Sequence, residues 1–376
     1  MNNEELRNKC YAFEPQLFIF EKKKGLIACA TSELYTDSRI GLSNKKEVVG
    51  VTLQKVAKLA GVSVSTASKA LSNSKEVSEE TKALVLKAAA ELSYFSTVKK
   101  RRFENRRHSC ITVGIICPEI ISVHYSEIVT ALCRSIDEMG GKASIFITEF
   151  DKDKQKHIFD RCVSEKEIDA IISLEGFEIS HDSFSLPIPA VFLGGKGKNS
   201  VNSNLSDGIY KAVRHFADMG HKKIAFAGEP LTISKAVCFE KAMLDIFGAC
   251  DQSIIFCENG RFEESGRAAG AKICALEPND RPTAVLCAYD EIAYGLIRTM
   301  RENSLRVPED ISVIGINDIP TSRFLETPLT SVRNNTEGVV SKVMEILSNQ
   351  LSQNMHEAEP VFVPCELVIR ASVTKI

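Results

Sequence analysis

Two kinds of hydrophobic pattern divide the chain, and the change between them lies near residue 110. Between residues 51 and 92, apolar residues recur at intervals of three and four, which places them on one face of a helix. Beyond that point, short apolar strings such as ITVGIIC, DAIISLEG and ISVIGIND alternate with helical stretches such as YSEIVTALCRSIDEMG. Strands buried on both faces and separated by helices are typical of parallel α/β sheets. The pattern therefore predicts a small helical unit followed by a two-lobed α/β core.

The helical unit is expected to contain three helices with a helix-turn-helix at its front. Thr52 is the expected N-cap of the first helix, and Gly61 supplies the turn conformation that a residue with a Cβ resists. Ser63 is expected to cap the second helix, and the third helix is expected to begin at Ser78. The inner faces are predicted to use Leu53, Val56, Ala57, Ala60, Val62, Ala67, Ala70, Leu71, Val85, Leu86, Ala89 and Leu92.

The expected domain boundaries follow from these changes of pattern. Residues 1–48 show no sustained period, so we expect a poorly ordered extension or residues upstream of the natural start. Residues 49–96 form the helix-turn-helix domain, residues 97–109 a basic linker, and residues 110–376 the core. In a helix-turn-helix the second helix lies in the DNA major groove, which explains the hydroxyl side chains after Gly61. A helical hairpin with a solvated hydroxyl face is the alternative from spacing alone.

Charge is distributed unevenly along the chain. Residues 51–108 hold twelve basic and five acidic side chains, a net charge of +7. Since the whole chain carries −2, the remainder carries −9. A basic segment on an acidic body indicates a local contact with a polyanion.

Composition excludes several classes of protein. A chain of 376 residues with 44% hydrophobic residues is long enough for two or three domains. No apolar run approaches the roughly 20 residues that span a bilayer, so we expect no membrane contact and a cytoplasmic location. The 12 cysteines show neither a Cys-x-x-Cys pair nor spacing suited to zinc, so we expect reduced thiols and no cofactor.

The stretch VTLQKVAKLAGVSVSTASKALSNSKEVSEETKALVLKAAAELSYF resembles the DNA-binding domain of the LacI/GalR family of bacterial transcription regulators. Further matches follow in family order: GHKKIAFAGEP, AYDEIAYG, LRVPEDISVIGIND, TPLTSVRNN and VPCELVIRAS. The resemblance covers residues 51–376. It implies a repressor that binds double-stranded operator DNA as a homodimer or tetramer and responds to a small-molecule effector.

The resemblance also implies which residues contact DNA. Val64 and Ser65 fall where the family varies with operator sequence, and Lys69 falls where the family often has arginine. Lysine contacts guanine acceptors without the planar two-pronged geometry of arginine. The remaining implied contacts of the domain, mainly to phosphates, are Thr52, Ser63, Thr66, Ser68 and Ser72.

The linker departs from the family pattern. Ser96 replaces the usual proline, Lys100 falls at the alanine of the hinge helix and Phe103 at its leucine. Lys100 and Phe103 are therefore expected to contact DNA, with Phe103 as a wedge in the minor groove. A flexible basic tether is the alternative.

For the core, the resemblance implies a fold like a type I periplasmic binding protein. Lobe 1 is expected over about 110–194 and 333–358, and lobe 2 over about 195–332 and 359–376. The expected crossovers lie near Leu193–Gly194, Pro320 and Val332–Arg333.

The cleft between the lobes is the expected effector site. Tyr125 falls where the family often stacks an aromatic on the effector, with a core aromatic as the alternative. Lys235 replaces the arginine that clamps ligands, and Asn317 replaces the first acid of a pair of which Asp318 keeps the second. Asp290 is expected to line the cleft, to cap a helix, or both. These departures predict a sugar or related metabolite unlike the commonest hexoses, or a weak dependence on any ligand.

Two other functions remain open from the sequence. One is a family regulator controlled by a protein co-effector such as a phosphocarrier. The other is an α/β enzyme that acts on a small metabolite. The motifs show no activated nucleophile, metal cluster or acid–base pair, which counts against an enzyme.

Overall fold

The computed structural model describes residues 51–71, 74, 76–92, 94, 110–164, 167–175, 188–251, 254–352 and 358–376. The expected extension over residues 1–48 and the basic linker over 97–109 lie outside the described residues. Ser72, Lys100 and Phe103 lie outside them as well. None of the described helices is long and apolar enough to cross a membrane.

Three helices form the first unit, namely α1 (Leu53–Leu59), α2 (Val64–Leu71) and α3 (Glu79–Glu91). Val56, Ala67 and Val85 are almost completely buried in their common core. Gly61 joins α1 to α2 at a φ of +68°, which a residue with a Cβ adopts only under strain. The predicted helices and their turn are therefore confirmed.

Two six-stranded sheets follow in the described residues. The first contains β1 (Thr112–Cys117), β2 (Lys142–Ile147), β3 (Ala170–Ser173), β4 (Ala190–Leu193), β5 (Ser200–Asn204) and β11 (Val361–Pro364). The second contains β6 (Ile224–Gly228), β7 (Ile255–Cys257), β8 (Ala284–Cys287), β9 (Ser312–Asn317), β10 (Thr330–Arg333) and β12 (Glu366–Val368). Their strand orders are β11-β5-β4-β3-β1-β2 and β12-β10-β9-β8-β6-β7. Neighbouring strands run parallel except β10 and β12, as predicted for a parallel α/β core.

Helices cover the faces of both sheets. They are α4 (Val123–Glu138), α5 (Lys152–Ser164), α6 (Leu205–Asp218), α7 (Ile233–Phe247), α8 (Glu263–Cys274), α9 (Asp290–Glu302) and α10 (Thr336–Leu351). Central strand residues such as Ile115, Ile172 and Val285 have no exposed surface. Burial on both faces is the reason that these strands read as continuous apolar strings.

The pairing of the strands shows that two of the expected lobe boundaries are wrong. β5 pairs with β4 in the first sheet, so lobe 1 continues past residue 194 to Asn204. β11 pairs with β5, so the last segment of lobe 1 ends at Pro364 and not at residue 358. The chain therefore crosses between the lobes near residues 204–205, 334–335 and 365. The expected crossovers at Leu193–Gly194 and Pro320 are wrong, because each lies between two strands of the same sheet.

Two helices of lobe 2 pack backbone against backbone. A Cβ added to Gly266 in α8 would lie 1.9 Å from the Ile292 carbonyl oxygen in α9. A Cβ added to Gly295 in α9 would lie 2.0 Å from the Glu263 carbonyl oxygen in α8. Neither position leaves room for a side chain, so the two glycines set the distance between these helices.

We predict that Gly266→Ala destabilises the protein by about 1–3 kcal/mol or more, because the added methyl group forces α8 away from α9. The matched control is Gly197→Ala, since an added Cβ there has no atom within 4 Å and the backbone is not left-handed. Urea unfolding of both variants measures the difference. Equal stability of the two variants would contradict the close helix contact.

Candidate functional site

The outer face of α2 carries the expected DNA-contacting side chains. Ala67 and Ala70 are buried against α1 and α3, whereas Val64, Ser65 and Ser68 are exposed on the opposite side. Val64 is 43% exposed, which is high for a large apolar residue and leaves its methyl groups available for contact. The helix therefore has one face fixed in the core and one face available to a partner.

Hydroxyl groups organise the start of this helix. The backbone N–H of Thr66 donates to Ser63 Oγ at 3.0 Å, and the two hydroxyl groups lie 2.8 Å apart. Ser63 is therefore the cap that the sequence predicted. Thr52 occupies the N-cap position of α1, but its side chain makes no capping hydrogen bond. The Thr52 hydroxyl is therefore available for a hydrogen bond with a partner outside the helix.

Lys69 has a partner that the sequence did not indicate. Its ammonium group forms an ion pair with Glu76, which lies just before α3. The two side chains are 50% and 68% exposed, so the pair contributes at most about 1 kcal/mol to stability. A phosphate or a base edge that contacts Lys69 must compete with this carboxylate.

Tyr125 lies in the first turn of α4, where its backbone N–H donates to Ser122 Oγ. Its ring meets Phe150 edge to face, with 6.3 Å between the ring centroids. It also packs against the core of lobe 1, and burial raises the pKa of its hydroxyl. The position of Tyr125 is therefore compatible with both interpretations, a core aromatic and an effector contact.

Lys235 lies in the first turn of α7 and reaches across lobe 2. Its Nζ donates to the Ala288 carbonyl at 2.8 Å and lies 3.9 Å from the centre of the Tyr289 ring. Burial lowers the pKa of Lys235 to about 7, against the opposing charges of Glu291, Glu229 and Asp290. Its surroundings therefore favour the neutral form of Lys235 more than water does.

Asp290 is a buried carboxylate held by hydrogen bonds within lobe 2. It is fully buried at the start of α9, and its carboxylate accepts from Ser322 Oγ, Ser331 Oγ and the Ile319 backbone N–H at 2.6–2.8 Å. These three donors occupy both oxygens and give Asp290 a structural role, whereas its expected place in the cleft stays a prediction. Burial raises the pKa of Asp290 to about 7 despite these hydrogen bonds.

Asn317 ends β9 and Asp318 follows it, and both have left-handed backbone conformations, with φ values of +104° and +50°. The Asn317 amide oxygen accepts from Asn334 Nδ2 at 3.0 Å, which leaves its own amide group as a donor. The Asp318 carboxylate is 4% exposed and pairs with Arg333 at 2.7 Å and with Arg370 at 2.6 Å. These two arginines neutralise Asp318 beside the crossover at 334–335, and its expected role as a ligand group stays a prediction.

Sequence reasoning missed Arg261, which precedes α8. Its Nη2 donates to Glu119 of lobe 1 at 2.9 Å, and its Nε lies 3.0 Å from a carboxylate oxygen of Glu229 in lobe 2. The guanidinium carbon lies 5.4 Å from the ring centre of Phe150 and 4.4 Å from that of Phe262. The NGRFEES stretch around Arg261 has no motif, and the positive φ of Phe262 has no sequence signal.

Two family models match the chain. The model for bacterial regulatory proteins of the lacI family matches residues 52–96, and the periplasmic binding protein-like domain matches residues 213–373. The first includes α1 to α3, and the second includes Lys235, Asp290, Asn317 and Asp318.

Known proteins agree with these matches. The HTH-type transcriptional repressor PurR of Mannheimia succiniciproducens is 31% identical over 338 residues, which are 86% of this chain and 99% of the relative. The lac repressor dimer bound to operator and the anti-inducer ONPF is similar in structure, with a TM-score of 0.63, 25% identity and coverage of 86% and 99%. A complex of the transcriptional regulator CelR with cellobiose has a TM-score of 0.61 at 21% identity, with the same coverage, and supports the fold alone. The relatives are transcription regulators and not enzymes.

We predict that Lys235→Met removes a pH dependence of stability. Between pH 7 and pH 9 the folded protein loses the Lys235 proton while the unfolded chain keeps it, so wild-type stability should rise relative to Lys235→Met. The slope has an upper limit of about 1.4 kcal/mol per pH unit. Urea unfolding across this range measures it, with Lys241→Met on the exposed face of α7 as the control. A constant difference between wild type and Lys235→Met would contradict the burial of this ammonium group.

Proposed function

The chain belongs to the lacI family of bacterial regulatory proteins, and we propose that it represses transcription by binding palindromic operator DNA as a homodimer. The observation that carries the proposal is the exposed face of α2, which presents Val64, Ser65 and Lys69 beside a row of hydroxyl groups. One helix-turn-helix reads few base pairs, so a twofold pair reads two inverted half-sites. The lac repressor structure of a dimer on operator supports this arrangement.

Within this proposal, the side chains of α2 divide by chemistry. Val64, Ser65 and Lys69 contact base edges, where a valine methyl suits thymine and a lysine suits guanine acceptors. Ser63, Thr66, Ser68 and Thr52 contact phosphates, because short hydroxyl groups reach the backbone without filling the groove. Ser72, Lys100 and Phe103 stay predictions, since they lie outside the described residues.

We further propose that a small-molecule effector binds between the lobes. In this proposal the lining comes from both lobes. Lobe 1 supplies the rings of Tyr125 and Phe150. Lobe 2 supplies the ring of Tyr289 and the ammonium group of Lys235. A pocket with apolar walls and few placed polar groups suits a small metabolite. Because Asp290 and Asp318 are already satisfied, the cleft offers fewer acids for sugar hydroxyls. This supports a sugar-related metabolite that differs from the commonest hexoses.

The test of this function is selection of operator DNA from random duplexes by the full chain. We expect an inverted repeat, bound by a dimer in sedimentation experiments at micromolar protein. An asymmetric recovered sequence, or a monomer with full affinity for the selected site, would contradict the proposal. Calorimetry of the complex against sugars and nucleosides then identifies the effector.

We predict that Lys69→Ala weakens binding to the selected operator by about 1–3 kcal/mol and relaxes preference at one base position. The control is Lys87→Ala, since Lys87 is an exposed lysine on α3 away from the expected DNA face. Gel-shift titrations and a repeated selection with each variant measure both effects. An unchanged consensus from the Lys69→Ala selection would remove Lys69 from the base-reading set.

A further inference from the structure

Arg261 joins the two lobes across the cleft. Glu119 follows β1 in lobe 1, and Arg261 follows β7 in lobe 2, with 2.9 Å between Nη2 and the carboxylate oxygen. The Glu119 side chain is only 11% exposed, whereas that of Arg261 is 37% exposed. A charge-assisted hydrogen bond to a nearly buried carboxylate is stronger than an exposed surface pair.

Lobe 2 holds Arg261 in position from the other side. Glu229 follows β6, has no exposed surface, and lies 3.0 Å from Arg261 Nε. Its second carboxylate oxygen accepts from the Phe262 backbone N–H at 3.0 Å. Burial alone would lower the pKa of Arg261, but its hydrogen bond to Glu119 and the charge of Glu229 raise it. The guanidinium group is therefore a fixed cation with one carboxylate partner in each lobe.

Aromatic rings enclose the same guanidinium group. Phe150 belongs to lobe 1 and Phe262 to lobe 2, and their ring centres lie 5.4 and 4.4 Å from the guanidinium carbon. Both phenylalanines have positive φ values, +61° and +53°, which bulky residues rarely adopt. Such backbone strain persists only where the surroundings require it, and it concentrates at binding and switch regions. The strained backbones here present two rings to one planar cation.

We propose that Arg261 is an interlobe latch that occupies the cleft in place of a ligand and holds the two lobes together. Arg261 supplies what a bridging effector would supply, namely a planar group between aromatic rings with polar contacts to both lobes. The two lobes are therefore held in contact at this point by a side chain of the protein itself. An effector in the cleft acts by exchanging with the contact between Arg261 and Glu119, and this last step rests on the proposed function.

The test is amide hydrogen exchange of the full chain without DNA or effector, in the segments 148–149 of lobe 1 and 229–232 of lobe 2, where N–H groups are hydrogen-bonded beside the contacts of Arg261. Arg261→Ala should exchange severalfold faster than wild type in both segments, because the cleft opens more often. The control is Arg267→Ala, whose exposed side chain lies near Glu302 on the outer surface of lobe 2.

Chemical rescue separates a latch from general loss of packing. Millimolar methylguanidinium should slow exchange in Arg261→Ala toward the wild-type rate, because the small cation fills the same slot, and should leave wild type unchanged. Glu119→Gln should also open both segments while Arg261 keeps its partner in lobe 2, with Glu138→Gln at the exposed end of α4 as the control. This second variant keeps the proposal testable if Arg261→Ala does not fold.

Wild-type exchange in both Arg261→Ala and Glu119→Gln would overturn the latch, and so would faster exchange that methylguanidinium leaves unaltered. Since neither measurement involves DNA, a chain that binds no operator but shows rescue keeps the latch and loses the proposed function. A chain that binds operator but shows no rescue would support the proposed function and contradict the latch.

Discussion

The buried carboxylate of Asp290 is the constraint on which lobe 2 depends. A carboxyl group without exposed surface is costly unless its oxygens are hydrogen-bonded, and here three segments of chain supply the donors. Ile319 follows β9, Ser322 belongs to the short 3-10 helix after it, and Ser331 lies in β10. Even the space beside the carboxylate is fixed, because a Cβ on Gly315 would lie 2.1 Å from one of its oxygens. Satisfying one carboxylate thus positions the loop that carries Asn317 and Asp318 toward the crossover.

Most of the fold could be predicted, because local pattern and burial agree. Continuous apolar strings indicated strands covered on both faces, and apolar residues three and four apart indicated the three helices. The lobe boundaries could not be predicted in the same way. β5 reads SVNSN and β11 reads VFVP, and each is too short and too mixed to reveal the sheet to which it belongs. Their pairing joins segments about 160 residues apart, and only the three-dimensional contact decides it.

The same distinction between local pattern and distant contact applies to the candidate site. Residues that act through local geometry, such as Ser63 as a cap and the exposed face of α2, were correctly placed by spacing. Residues that act through distant partners were not. Asp290 looked available until its three donors were known, and Asp318 until its two arginines were known. Arg261 was missed because its partners lie in the loops that follow β1, β2 and β6. These loops are far from Arg261 and from one another in the sequence.

The ion pair between Lys69 and Glu76 has a kinetic consequence for a protein that must find one site among many. Nonspecific attraction to DNA comes from phosphates that replace counterions around basic side chains. A lysine already neutralised by a carboxylate within its own domain contributes less to that attraction. The protein then leaves random duplex sooner and samples more of the genome in a given time. Any phosphate or base edge that binds the lysine must first displace its carboxylate, so the domain gives up some affinity for every sequence in exchange for a faster search.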